Sequence, residues 1–95
     1  MNTVIALDAL KGMTGCPVWV ETRNGKLYSG WALVYEFYSG PSLNYMGSER
    51  VGITQPNGHI MWLLACWYGE KWRCWIEAPT EEERKGEAWE CSRNG

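Results

Sequence analysis

Tyr68-Gly69-Glu70-Lys71-Trp72-Arg73-Cys74-Trp75 reads as a glycine turn entering a strand. Side chains of a strand alternate between its two faces. Trp72, Cys74 and Ile76 therefore point to one face, which reads as core, while Lys71, Arg73, Trp75 and Glu77 point to the other. A tryptophan between charged neighbours can stack on a flat ligand, and the arginine beside it can hold an anion. Upstream, Pro56-Asn57-Gly58 turns the chain into His59 to about Trp67, apolar on both faces: Ile60, Trp62 and Leu64 against Met61, Leu63 and Ala65. Apolar residues on both faces mark a central strand, and the spacing predicts an N-terminal helix over its second face.

Further out, Pro17 opens an edge strand that runs through Val18, Trp19 and Val20 to about Thr22, and Arg23-Asn24-Gly25 supplies a hairpin turn. The second strand, from Lys26 to about Tyr38, sets Leu27, Trp31, Leu33, Tyr35 and Phe37 against Tyr28, Ala32, Val34, Glu36 and Tyr38. Gly30 near its start invites a bend or bulge. Ser39 to Gly47 reads as a loop carrying Tyr45 and Met46. Ser48 to Gln55 is the third strand, with Val51 and Ile53 inward and Arg50 outward.

At the N-terminus, Asn2 or Thr3 can cap a short helix through Ile5, Ala6, Ala9, Leu10 and Met13, which Gly12 and Gly15 end. At the other end, Thr80 and Glu83 make a capping box ahead of a helical turn to Lys85, and Trp89 can dock back onto the body. Residues 90–95 read as a frayed tail. The expected fold is mainly β (α+β): a small SH3-like five-stranded antiparallel barrel or roll with short N-terminal and C-terminal helical pieces, as one domain over residues 1–95. The alternative is an open antiparallel sheet with a helix on one face.

The totals bound the function. A 95-residue chain is too short for two independent cores, and seven Trp and five Tyr exceed what a plain small core needs. The formal net charge is −2 and the nine basic residues form no run, which argues against nucleic-acid binding. Cysteines 16, 66, 74 and 91 lack C-x-x-C spacing and His59 is the sole histidine, so neither a zinc site nor another metal centre is expected. Nothing reads as a signal peptide or membrane span, and a cytoplasmic protein with reduced thiols is expected.

Leu10-x-x-Met13-x-Gly15-x-Pro17-Val18-Trp19-Val20, Gly30-Trp31-Ala32-Leu33-Val34, Tyr68-Gly69-x-x-Trp72-x-x-Trp75 and Pro79-Thr80 together resemble a family of small accessory proteins of phages and prophages of Gram-positive gut bacteria. Where a basic residue is expected directly after Tyr-Gly, this chain has Glu70 and then Lys71. The resemblance implies a setting, action on host factors such as defence systems, more than a mechanism.

Two functions follow as expectations. In the first, a non-enzymatic protein sequesters a nucleotide-like signal, with Trp75, Tyr45, Trp31 or Tyr35 stacking on the base and Arg73, Lys71 and Arg50 holding phosphate. In the second, the chain is an inhibitor or adaptor that covers a host protein, using its aromatic residues or the acidic group Glu81, Glu82, Glu83, Glu87 and Glu90. The plainer reading of the acidic group is a dipole-favoured helix start. Enzymatic activity is not expected, because a cysteine nucleophile would have only His59 as base and the carboxylates cluster in the tail. No cofactor is implied. So many aromatics beside a Pro17-bearing edge strand also suggest a homo-oligomer.

Overall fold

The computed structural model describes residues 2–23, 25–39 and 49–89. The expected loop at Ser39 to Gly47, with Tyr45 and Met46, lies almost wholly outside them, as do the turn residue Asn24 and the tail 90–95. Five strands form one antiparallel sheet: β1 (Pro17–Thr22), β2 (Gly30–Ser39), β3 (Glu49–Thr54), β4 (Ile60–Leu64) and β5 (Trp72–Trp75). Their order is β4-β3-β2-β1-β5. Two helical pieces accompany them, α1 (Leu7–Leu10) and α2 (Glu81–Gly86), with a 3-10 turn at Ala65–Trp67.

The sheet is not closed into the expected barrel. Closure would need β4 and β5 to pair, and they are instead the two edges. The indole N–H of Trp72 donates to the Leu64 carbonyl at 2.8 Å, bridging the edges by one side chain without a ladder. The expectation that the fourth strand is central is corrected by the same order. Its inner residues Met61 and Leu63 are core, whereas Ile60 and Trp62 are apolar and exposed.

One face carries the core: Val18, Val20, Ala32, Val34, Val51, Ile53, Met61, Leu63, Trp72 and Cys74, closed over by Ile5 and Leu10. α1 is shorter than predicted, and its N-cap is Ala6 with no side-chain cap. Asn2 is used elsewhere: its Nδ2 donates to the Glu77 carbonyl at 2.8 Å and its Oδ1 accepts the Glu77 amide at 3.1 Å. The following residues can then run along the sheet edge, where the Ile5 amide donates to the Cys74 carbonyl.

Pro17 does open β1, but β1 is interior to the sheet. Its missing N–H faces the β5 side at a level β5 does not reach, since that pairing ends at Trp19–Trp75, so no ladder bond is lost. β2 starts at Gly30, not Lys26, and Leu27 is exposed. Gly30 has φ of 141°, and a Cβ there would lie 2.7 Å from the Tyr28 hydroxyl, which packs over it. The bulge falls later, between Val34 and Glu36. That extra residue reverses the alternation, so Phe37 packs against the core while Glu36 and Tyr38 join Trp31, Leu33 and Tyr35 on the other face. β5 ends at Trp75, which leaves Ile76, expected in the core, 51% exposed. The predicted capping box is present: Thr80 accepts from the Glu83 amide, and Glu83 accepts from the Thr80 amide. No helix among the described residues is long and apolar enough to cross a membrane.

Candidate functional site

The second face of the sheet divides into a covered half and an open half. Register places Arg73 and Trp75 of β5 beside Glu21 and Trp19 of β1. This is the face on which the alternation of β5 put them, but it is not open to solvent. Arg73 is 2% exposed and Trp75 is fully buried, which corrects the expectation that they present a ligand surface.

Arg73 explains the burial. Its Nε donates to Glu21 Oε1 at 2.9 Å, one terminal nitrogen donates to the Glu87 carbonyl at 2.6 Å, and the other donates to the Arg84 carbonyl at 3.4 Å. The Trp75 indole N–H donates to the same Glu21 oxygen at 2.8 Å. The Trp89 ring lies 4.0 Å from the guanidinium carbon and Trp75 lies 5.2 Å from it. A buried charge is tolerated when it is paired and hydrogen-bonded, and cations suit the carbonyl end of a helix. Arg73 thus ties α2 and the following segment down over β1 and β5. The docking of Trp89 agrees with the sequence expectation; it is Trp89 that encloses Arg73. Lys71 stands apart at the turn, with its Nζ 4.9 Å from the centre of the Trp67 ring.

Beyond β1 the face is open. Trp31 (44%), Leu33 (46%), Tyr35 (45%), Tyr38 (40%), Ile60 (38%) and Trp62 (45%) are all exposed. The register of β2, β3 and β4 sets them on one surface. Two edge-to-face pairs hold the rings: Trp19–Trp31 with centroids 5.8 Å apart and Tyr35–Trp62 at 6.0 Å. Gly52 lies beneath the second pair. A Cβ there would come within 3.0 Å of the Trp62 ring and 3.2 Å of the Tyr35 ring, so the missing side chain lets both rings settle on the sheet. With about 150–250 Å² per aromatic side chain, the six residues offer roughly 300–500 Å² of apolar surface. That lies within the roughly 300–600 Å² of a typical monomer's largest patch, which is often functional. A groove of about 600 Å³ borders this surface, lined by Pro17, Trp31, Leu33, Thr54, Gln55 and Pro56.

Of the predicted site residues, Trp31, Tyr35 and Arg50 therefore share one surface by register, Arg73 and Trp75 lie under the C-terminal segment, Lys71 is at a distant turn, and Tyr45 lies outside the described residues. Trp62, Leu33, Ile60 and Tyr38 belong to the open surface but were not among the expected site residues. The alternating Ile60, Trp62 and Leu64 carried that signal, had the fourth strand been placed at an edge.

Two thiol and phenol groups are perturbed for structural reasons. Burial pushes Cys74 up to about 12 from its ordinary 9.0. Burial also pushes Tyr68 well above the tyrosine range; its hydroxyl donates to the Ile5 carbonyl and accepts the Cys74 amide at 3.1 Å. Both acids are held protonated in the folded chain and ionise more readily in the unfolded one. Their stabilisation is complete below pH about 9 and is lost as pH rises through about 12. Equilibrium denaturation across this range will show stability falling from about pH 9 upward; a flat profile to pH 11 would contradict the burial of both groups.

The fold and surface define a small antiparallel sheet protein with an exposed aromatic face. No family model, no curated protein and no solved structure matches this chain.

Proposed function

We propose that this chain is a non-enzymatic binding protein that covers a surface of another protein with the open aromatic face of β2 and β4. The observation that carries the reading is the group of six large apolar side chains, each 38–46% exposed, on one surface. Tryptophan, tyrosine and arginine dominate the centres of protein interfaces because they combine large apolar area with a polar tip. Trp31, Trp62, Tyr35 and Tyr38 supply that area, and Arg50 and Glu36 lie on the same surface by register. The resemblance to phage accessory proteins gives the partner a setting: a protein of the bacterial host, including one of its defence systems.

A nucleotide-like ligand is the second reading, favoured by the groove of about 600 Å³ beside Trp31, a size that suits a small molecule. It ranks second because its cations are dispersed. Arg73 is spent on Glu21 and backbone carbonyls, and Arg50 lies four residues along β3 from the groove residue Thr54, about 13 Å away.

Native mass spectrometry of the chain purified from a Gram-positive host separates the two. The proposal expects a stoichiometric host protein that is lost when Trp31 and Tyr35 are replaced by alanine. A bound mass of a few hundred daltons, lost with the same variants, would instead establish the ligand reading. A bare chain with no companion in the host extract would overturn both.

A further inference from the structure

The two edges of the sheet are treated differently. Along β5 the outward groups are taken up: the Cys74 carbonyl accepts the Ile5 amide at 2.8 Å, the Cys74 amide donates to the Tyr68 hydroxyl, and the Trp72 carbonyl accepts the Gly69 amide at 2.7 Å. On β4, the His59 carbonyl accepts the Gln55 amide at 2.8 Å, so His59, Met61 and Leu63 turn their backbone groups toward β3. The direction alternates along a strand, and Ile60, Trp62 and Leu64 therefore turn theirs outward. The Leu64 carbonyl is capped by the Trp72 indole. Ile60 and Trp62 lie on an edge whose own strand carries no charge, proline or bulge: β4 reads Ile-Met-Trp-Leu-Leu and pairs with β3 in continuous register.

We propose that β4 is a homodimerisation edge, on which a second copy of this chain pairs its own β4 antiparallel to form one ten-stranded sheet. Capping of the Leu64 carbonyl disfavours a register centred on Trp62, which would set Leu64 against Ile60. A register centred on Met61 sets Ile60 of one copy against Trp62 of the other, twice, and engages their outward backbone groups. It also lays an aliphatic side chain beside an indole across each strand pair, a favourable combination. An uncharged strand paired with itself brings no like charges together, whereas the net charge of −2 lies elsewhere in the chain. Two short strands side by side bury less than the roughly 1,200–2,000 Å² of a stable interface, so the dimer is weak and reversible. The two aromatic faces then run on as one surface. This inference rests on the edge and stands whether or not that surface binds a host protein.

Sedimentation velocity over a concentration series tests it on the full chain. The wild type is expected to move from a 10.9 kDa monomer to a dimer as concentration rises. Ile60→Pro removes an outward N–H without touching the β3 ladder and should keep the chain monomeric, with at least a tenfold weaker association. Ile60→Ala retains the N–H and should still dimerise. Hydrogen exchange covers the case of a poorly folded proline variant: in the wild type, the amides of Ile60 and Trp62 should gain protection as concentration rises while that of Ile76 does not. A wild type that stays monomeric to millimolar concentration, or a dimer in which the Ile60 and Trp62 amides exchange at the monomer rate, would overturn the proposal.

Discussion

Arg73→Met is expected to lower the unfolding free energy by about 3–5 kcal/mol, the cost of removing one partner from a buried ion pair. Three consequences add in that one residue. The Glu21 carboxylate, whose side chain is 14% exposed, loses its cation. The Glu87 and Arg84 carbonyls lose their donor, which releases the C-terminal segment from β5. Trp89 loses the guanidinium it stacks on, and Trp75 loses its cover. Urea denaturation measures the loss. The double variant Arg73→Met with Glu21→Gln should be less destabilised than the sum of the single changes, because it leaves no unpaired buried charge. Simple additivity would mean that the pair is not coupled, and a loss under 1 kcal/mol would contradict the role of Arg73 as a buried, paired tie.

The open face should behave in the opposite way. Trp31→Ala and Trp62→Ala each remove a side chain about 45% exposed, so each should change folding stability by less than about 1.5 kcal/mol. Each should nevertheless weaken binding of the co-purifying host protein by roughly 30-fold or more, the threshold of an interface hot spot. Lys71→Ala, at the turn over Trp67, should leave binding unchanged. Calorimetry with the purified partner reads all three. A loss for Lys71→Ala as large as that for Trp31→Ala would contradict a contact confined to the open face, and large losses of stability in the tryptophan variants would make the face structural.

Local signals were readable from the residues alone wherever the chemistry was itself local. The capping box needs only Thr80 and Glu83 three residues apart, and both hydrogen bonds are made. The five strands and the inward Val51 and Ile53 follow from alternation and turn residues. What alternation does not carry is the identity of the element that covers each face. Arg73 and Trp75 read as an exposed polar face because nothing in 68–75 shows that Glu21, 52 residues before Arg73, and Trp89, well after it in the chain, enclose them. The two apolar faces of 60–64 fit a central strand and an edge strand with an open aromatic face equally well, and only the strand order decides between them. The bulge at Val34–Glu36 moves Phe37 to the core face and Glu36 and Tyr38 off it, a consequence of pairing with β3 that no residue of β2 announces. The candidate surface was therefore half legible: Trp31, Tyr35 and Arg50 were named, and Trp62 opposite Tyr35 was not.

The tryptophans divide into an enclosed set around Arg73 and the core and an exposed set that is proposed to recognise a partner. The most direct test is fluorine NMR of the chain labelled with fluorotryptophan, each resonance assigned by single substitution, in the presence of a soluble paramagnetic agent. The account predicts strong broadening of Trp31 and Trp62, little broadening of Trp72 and Trp75, and protection of the first pair once the partner is added. Broadening of Trp75 as strong as that of Trp31 would contradict it.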